Sequence, residues 1–213
     1  MTKAVIMAGV AVAFAVPVQA QDDVVNSKHN MSTFTGAALT DYNEVCVYCH
    51  TPHGGPTATN APLWNRGFGA GPYDMYNAAW SSTIDMAVET SPQGVSLACL
   101  SCHDGTIGLD VIINRPNADT SLAGSGNTMP ANSGQFFANL GADLRNDHPI
   151  SVTYSTADDP AFVAPSGGAI DVLPLYTGRV ECGSCHNPHN TTNTPFLRKT
   201  NVASGLCKTC HIK

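Results

Sequence analysis

The sequence predicts a mostly irregular, loop-rich fold with short helices and a few short strands. Three observations carry that expectation. Nineteen Gly and fourteen Pro interrupt a chain of 213 residues, and such residues punctuate regular structure. Ser, Thr and Asn together make up about a quarter of it, which favours turns over helix interiors. Glu, Lys, Arg and Leu are scarce, only 12% of residues are charged, and few windows show a helical period.

The composition also excludes some classes. A hydrophobic share of 43% with a net charge of −6 is not a disordered composition. The negative balance argues against nucleic acid, which needs a basic face. At this length one domain is expected.

Residues 1–20 read as a secretory signal. Lys3 supplies the positive start, Ala4 to Val16 is an apolar run, and Val18-Gln19-Ala20 is a small-residue cleavage site. The run ends at Pro17, short of the ~20 apolar residues a membrane span needs, and no other segment comes close. The mature domain is expected to be residues 21–213.

Eight Cys and eight His decide the chemistry. The cysteines form four Cys-x-x-Cys pairs: Cys46 and Cys49, Cys99 and Cys102, Cys182 and Cys185, Cys207 and Cys210. A His follows each pair directly, giving His50, His103, His186 and His211. Cys-x-x-Cys-His is the attachment signature of c-type haem. Two thiols add across the two vinyl groups of one haem, and the adjacent His becomes the proximal iron ligand. Disulfides or zinc would use the cysteines but do not require a His at a fixed offset. A thioredoxin-like pair would need one motif rather than four. Four covalently attached c-type haems are therefore expected.

Four histidines remain: His29, His53, His148 and His189. Their number equals the number of open iron faces, so they are the expected distal ligands. His53 and His189 each lie three residues after a proximal His. From there they cannot reach across their own haem. The spacing assigns them to a second haem, His53 to the second motif and His189 to the fourth. His29 and His148 then serve the first and third motifs in an order left open. His29, on a polar N-terminal arm, could equally be donated to a neighbouring subunit. The rival ligands are Met31, Met75, Met86 and Met129. Asp104 and Asp147 could orient ligands, though solvated loop carboxylates fit as well.

The longest haem-free stretch, about residues 104–181, is an insert in the single tetrahaem domain. It contains strand-like runs at 109–113 and 150–154, loop signals at 123–127 and 165–168, and a short helix expected over 133–144. A short helix is expected to carry each Cys-x-x-Cys-His motif. Trp64 and Trp80 are expected to pack against haem or core.

The blocks CVYCHTPHGG, PLWNR, SLACLSCHDGTIG, DLRNDHPISVTY, VECGSCHNPH, FLRK and LCKTCH resemble the doubled-CxxCH multihaem cytochrome c family. In plan the chain is most similar to the OmcE-type extracellular tetrahaem nanowire cytochromes of Geobacter. That resemblance implies a haem stack as the core of the fold, bis-His ligation, and subunits joined end to end with an axial His donated across the interface. It matches His29 to the N-terminal His of such chains and His148 to the internal distal His. It also implies redox partner cytochromes and extracellular metal oxides as acceptors.

The expected function is extracellular long-range electron transfer through four closely stacked bis-His haems, in a polymerised filament. The alternative is a soluble periplasmic tetrahaem shuttle. Enzymatic activity is not expected, since six-coordinate iron leaves no face for substrate. The chain is expected to be secreted.

Overall fold

The computed structural model describes residues 24–33, 44–57, 61–69, 71–116, 128–133 and 137–212. The signal segment and the 123–127 loop lie outside them. As expected, the fold is loop-rich. Three α-helices lie wholly within the described residues: α1 (Gly94–His103), α2 (Cys182–Cys185) and α3 (Cys207–Cys210). Four two-residue strands, β1 (Val152–Thr153), β2 (Ala169–Ile170), β3 (Leu173–Pro174) and β4 (Arg179–Val180), form two antiparallel pairs, β1 with β4 and β2 with β3.

Helix α1 forms where Val, Leu and Ala interrupt the loop composition. It ends at Asp104, and Gly105 follows with φ of +72°. A left-handed glycine just past the last turn closes a helix without the steric cost of a Cβ. Here the space is also taken, because a Cβ on Gly105 would meet the Asn139 amide at 2.6 Å. Leu100 on α1 is buried with Met75 and Leu144 in one small apolar cluster. A second cluster joins Met31, Tyr48, Leu109, Ile112 and Met129, and Cys49 and Cys102 pack against it. All four rival methionine ligands are buried; Met31, Met129 and Met75 lie within these clusters.

The clusters are small for a chain of this length. Helices α1 and α2 pack closely because Gly183 has no side chain. A Cβ there would lie 2.8 Å from the Tyr176 hydroxyl and 3.0 Å from Val95. A buried carboxylate, Glu181, pins the same junction. It accepts hydrogen bonds from the hydroxyls of Ser96 at 2.6 Å and Ser151 at 3.0 Å, and it caps α2 in a reciprocal box with Ser184.

Two local expectations are corrected. Residues 109–113 are turn and loop, not strand: the Leu109 carbonyl accepts from Arg66, and the Asn65 carbonyl accepts from the Ile113 amide. The expected helix over 133–144 is absent among its described residues, where Asn139 instead bonds Asn132, Met129 and Pro130. The strand expected near 150–154 and the loop near 165–168 agree with the structure, while Trp80 departs from its expected packing. Strand β1 lies within 150–154, and residues 165–168 form a turn. Trp64 is half-buried beside His50, whereas Trp80 is exposed and lies under the Arg145 guanidinium.

Candidate haem-attachment centre

Each Cys-x-x-Cys segment occupies a helical turn: a 3-10 turn at Val45–Tyr48, the end of α1, then α2 and α3. Helical spacing puts positions i, i+3 and i+4 on one face. Both cysteines and the following His are therefore presented together, while position i+2 points the opposite way. Tyr48, Ser101, Ser184 and Thr209 occupy that position, and all four are buried. The polypeptide thus anchors the motif by one side chain and offers the other three outward.

The eight cysteines are free thiols in the structure. Among the described residues, no three His, Cys, Asp or Glu side chains converge to hold a lone metal ion. The cysteines instead make a line of neighbours. Cys49 and Cys102 share one apolar cluster. The Cys99 thiol hydrogen-bonds Cys182, which raises the Cys99 pKa and lowers that of Cys182. Cys185 is raised to about 11, by burial first and then by Cys210. The first two motifs thus share a cluster, and electrostatic interactions link the second with the third and the third with the fourth.

The proximal histidines are held by backbone. The Nδ1–H of His50 donates to the Pro62 carbonyl at 2.7 Å, that of His103 to Ala138 at 2.7 Å, and that of His186 to Pro195 at 3.0 Å. Such a bond fixes the tautomer and leaves Nε2 bare for a metal. The clamps repeat. At the first motif, the Thr51 amide bonds the Leu63 carbonyl and the Asn65 amide bonds the Cys49 carbonyl. At the third, Asn187 bonds Phe196 and Arg198 bonds Cys185 in the same way. At the fourth, Ile212 bonds Ala161 and Val163 bonds Cys210. Three Pro-led segments, beginning at Pro62, Pro160 and Pro195, therefore pair with three motifs by one pattern. Sequence reasoning did not identify these clamps. The signal was a Pro three residues before the last clamping residue of each short segment.

Two of the four distal candidates face proximal histidines. The rings of His50 and His189 have centroids 6.0 Å apart at 20°, and those of His29 and His103 are 6.2 Å apart at 82°. A metal bound by two imidazole nitrogens at ~2.0–2.1 Å sets ring centres roughly 6 Å apart. Burial, then neighbouring histidines, holds His29 down at about 4. Burial also lowers His103 and His189. All three rings are therefore neutral near pH 7, as metal ligation requires. Eight free thiols, fixed tautomers and these paired rings fit covalently attached haem.

The ring pairs correct two sequence expectations. His189 lies against His50 of the first motif, not His211 of the fourth. His29 lies against His103 of the second motif, within its own chain. His29 is therefore placed on neither the first nor the third motif. The cause is tertiary: the third motif's clamp brings Phe196 onto His29, with centroids 4.5 Å apart. His148 is exposed, with Nδ1–H donated to the Pro149 carbonyl at 2.9 Å. The backbone carbonyl of His53 accepts from Thr51 and Asn114. Asp104 accepts from Tyr73 and Thr106, not from a histidine. Asp147 is raised by burial and by Asp143.

These features fit c-type haem attachment through Cys-x-x-Cys-His. Residues 174–213 match the model of the doubled CXXCH motif family, which supports a multihaem c-type cytochrome. No curated protein matches the chain. Attachment of this kind implies export from the cytoplasm. Among the described residues, no helix is long and apolar enough to cross a membrane.

Proposed function

We propose that the chain is an electron carrier holding four bis-His c-type haems in a continuous line, and that it works outside the cell in an end-to-end filament. The observation that carries this reading is the unbroken adjacency of the four motifs, with two histidine pairs at metal-bridging separation. When bound, c-type haem with both faces ligated supplies reversible one-electron chemistry without a substrate site. The chain's own residues attach it through the eight cysteines and ligate it through His50, His103, His186 and His211. His29, His53, His148 and His189 close the opposite faces. With eight histidines for eight faces, the protein is a carrier rather than an enzyme.

Charge segregation supports end-to-end assembly. Residues 174–213 carry five basic side chains and one acidic, whereas residues 1–173 carry five basic and fifteen acidic. A surface of each sign on one molecule favours a heterologous contact that repeats without closing. Redox partner cytochromes and extracellular metal oxides are the proposed donor and acceptor classes.

The alternative reading is a soluble periplasmic tetrahaem shuttle, which needs no second copy of the chain. Electron microscopy and sedimentation of the secreted protein separate the two. Filaments support the first reading; monomers at high concentration, at low as well as physiological salt, support the second. Binding of CO or nitrite by the untreated protein would contradict both, since it requires an open iron face.

A further inference from the structure

The structure assigns to Arg66 the role of a fixed buried cation that raises the reduction potential at the first two motifs; this rests on the reading of those motifs as haem sites. Arg66 is 0% exposed. Its Nη1 donates to the Leu109 carbonyl at 2.8 Å, and its Nη2 donates to Gly108 at 2.8 Å and Ser101 at 3.2 Å. These acceptors are neutral carbonyls, which solvate a charge without cancelling it. Nε has no hydrogen-bond partner. A buried guanidinium is costly to hold and stays charged under all ordinary conditions.

Its position is between two attachment sites. The preceding residue, Asn65, donates its amide to the Cys49 carbonyl at 2.9 Å. On the other side, Arg66 itself grips Ser101, the residue before Cys102. Cys49 and Cys102 lie against one cluster. No equivalent fully buried cation is found among the described residues of the third and fourth motifs, where Arg179, Arg198, Lys199 and Lys208 all reach solvent.

One-electron reduction adds a negative charge at the site. A cation held in low dielectric stabilises that state, and salt does not screen it. The buried carboxylates Asp104 and Asp110 oppose it locally, so removing Arg66 leaves their field unbalanced. The chain thereby separates the potential of its first two sites from that of its last two.

The test is a spectroelectrochemical titration of the mature holoprotein, with intact mass and thermal melting taken in parallel. In Arg66→Gln the expected result is full haem mass and a two-electron component displaced to lower potential, the remainder unmoved. Arg66→Lys should restore the wild-type curve, because it keeps the charge. An unchanged titration in Arg66→Gln with a lowered melting temperature overturns the proposal and leaves Arg66 a structural pin. Should Arg66→Gln fail to mature, Asp110→Asn is read instead. An upward shift supports the proposal and no shift overturns it. Failure of the underlying reading is seen separately, as missing haem mass in the wild-type protein.

Discussion

At the scale of single residues, the motifs work by facing. Cys, Cys and His share one side of a helical turn, and a fourth residue anchors the other side in the protein. The cysteines and proximal histidines were legible in the sequence because covalent attachment fixes their spacing. The distal pairing was not. Nothing local places His189 against His50, since the contact depends on how the third motif and its clamp pack onto the first. That placement makes a specific prediction. His189→Ala should leave one ferric site high-spin and able to bind CO when reduced. The signal should vanish when Cys46 and Cys49 are also replaced by Ala, and persist when Cys207 and Cys210 are replaced instead. The reverse pattern would return His189 to the fourth motif.

At the scale of elements, the helical turns that carry the motifs were legible, and the segments that clamp them were not. A Pro-led loop has no period to detect. The strand expected over 109–113 failed for a related reason. Its apolar residues serve a cluster around Tyr48, and its carbonyls are claimed by Arg66 rather than by a neighbouring strand. The α1–α2 junction carries a second prediction. Glu181→Ala leaves two buried hydroxyls and a helix start without their acceptor, and should cost about 2–4 kcal/mol in denaturant unfolding. Glu181→Gln should retain more of that stability. Burial holds the Glu181 carboxyl above its ordinary 4.5, so the folded chain binds the proton more tightly than the unfolded chain. This group's contribution therefore falls as pH rises from the ordinary value through the raised one. Glu181→Gln should lack that part of the slope. Equal slopes in the two proteins would show that the carboxyl does not titrate differently on folding.

At the scale of the whole molecule, the loop-rich class was legible because composition alone denies the chain long helices. The insert over 104–181 is not a separate unit. Its Pro160–Val163 segment clamps the fourth motif, and its Val152 forms a bridge with Val88. The apolar clusters stay small, and one of the two lies against Cys49 and Cys102. The proposed end-to-end association of copies should be salt-sensitive: raising ionic strength from about 0.01 M to 0.15 M shortens the screening length from ~30 Å to ~8 Å and should weaken it. Salt-independent sedimentation would remove the electrostatic argument for assembly.

The account rests most heavily on four motifs each carrying a haem. Intact mass of the exported protein tests this directly. The predicted mass is that of residues 21–213 plus four haem groups on eight thioether links. A mass with fewer haem groups, or one matching a chain closed by disulfides, would contradict it.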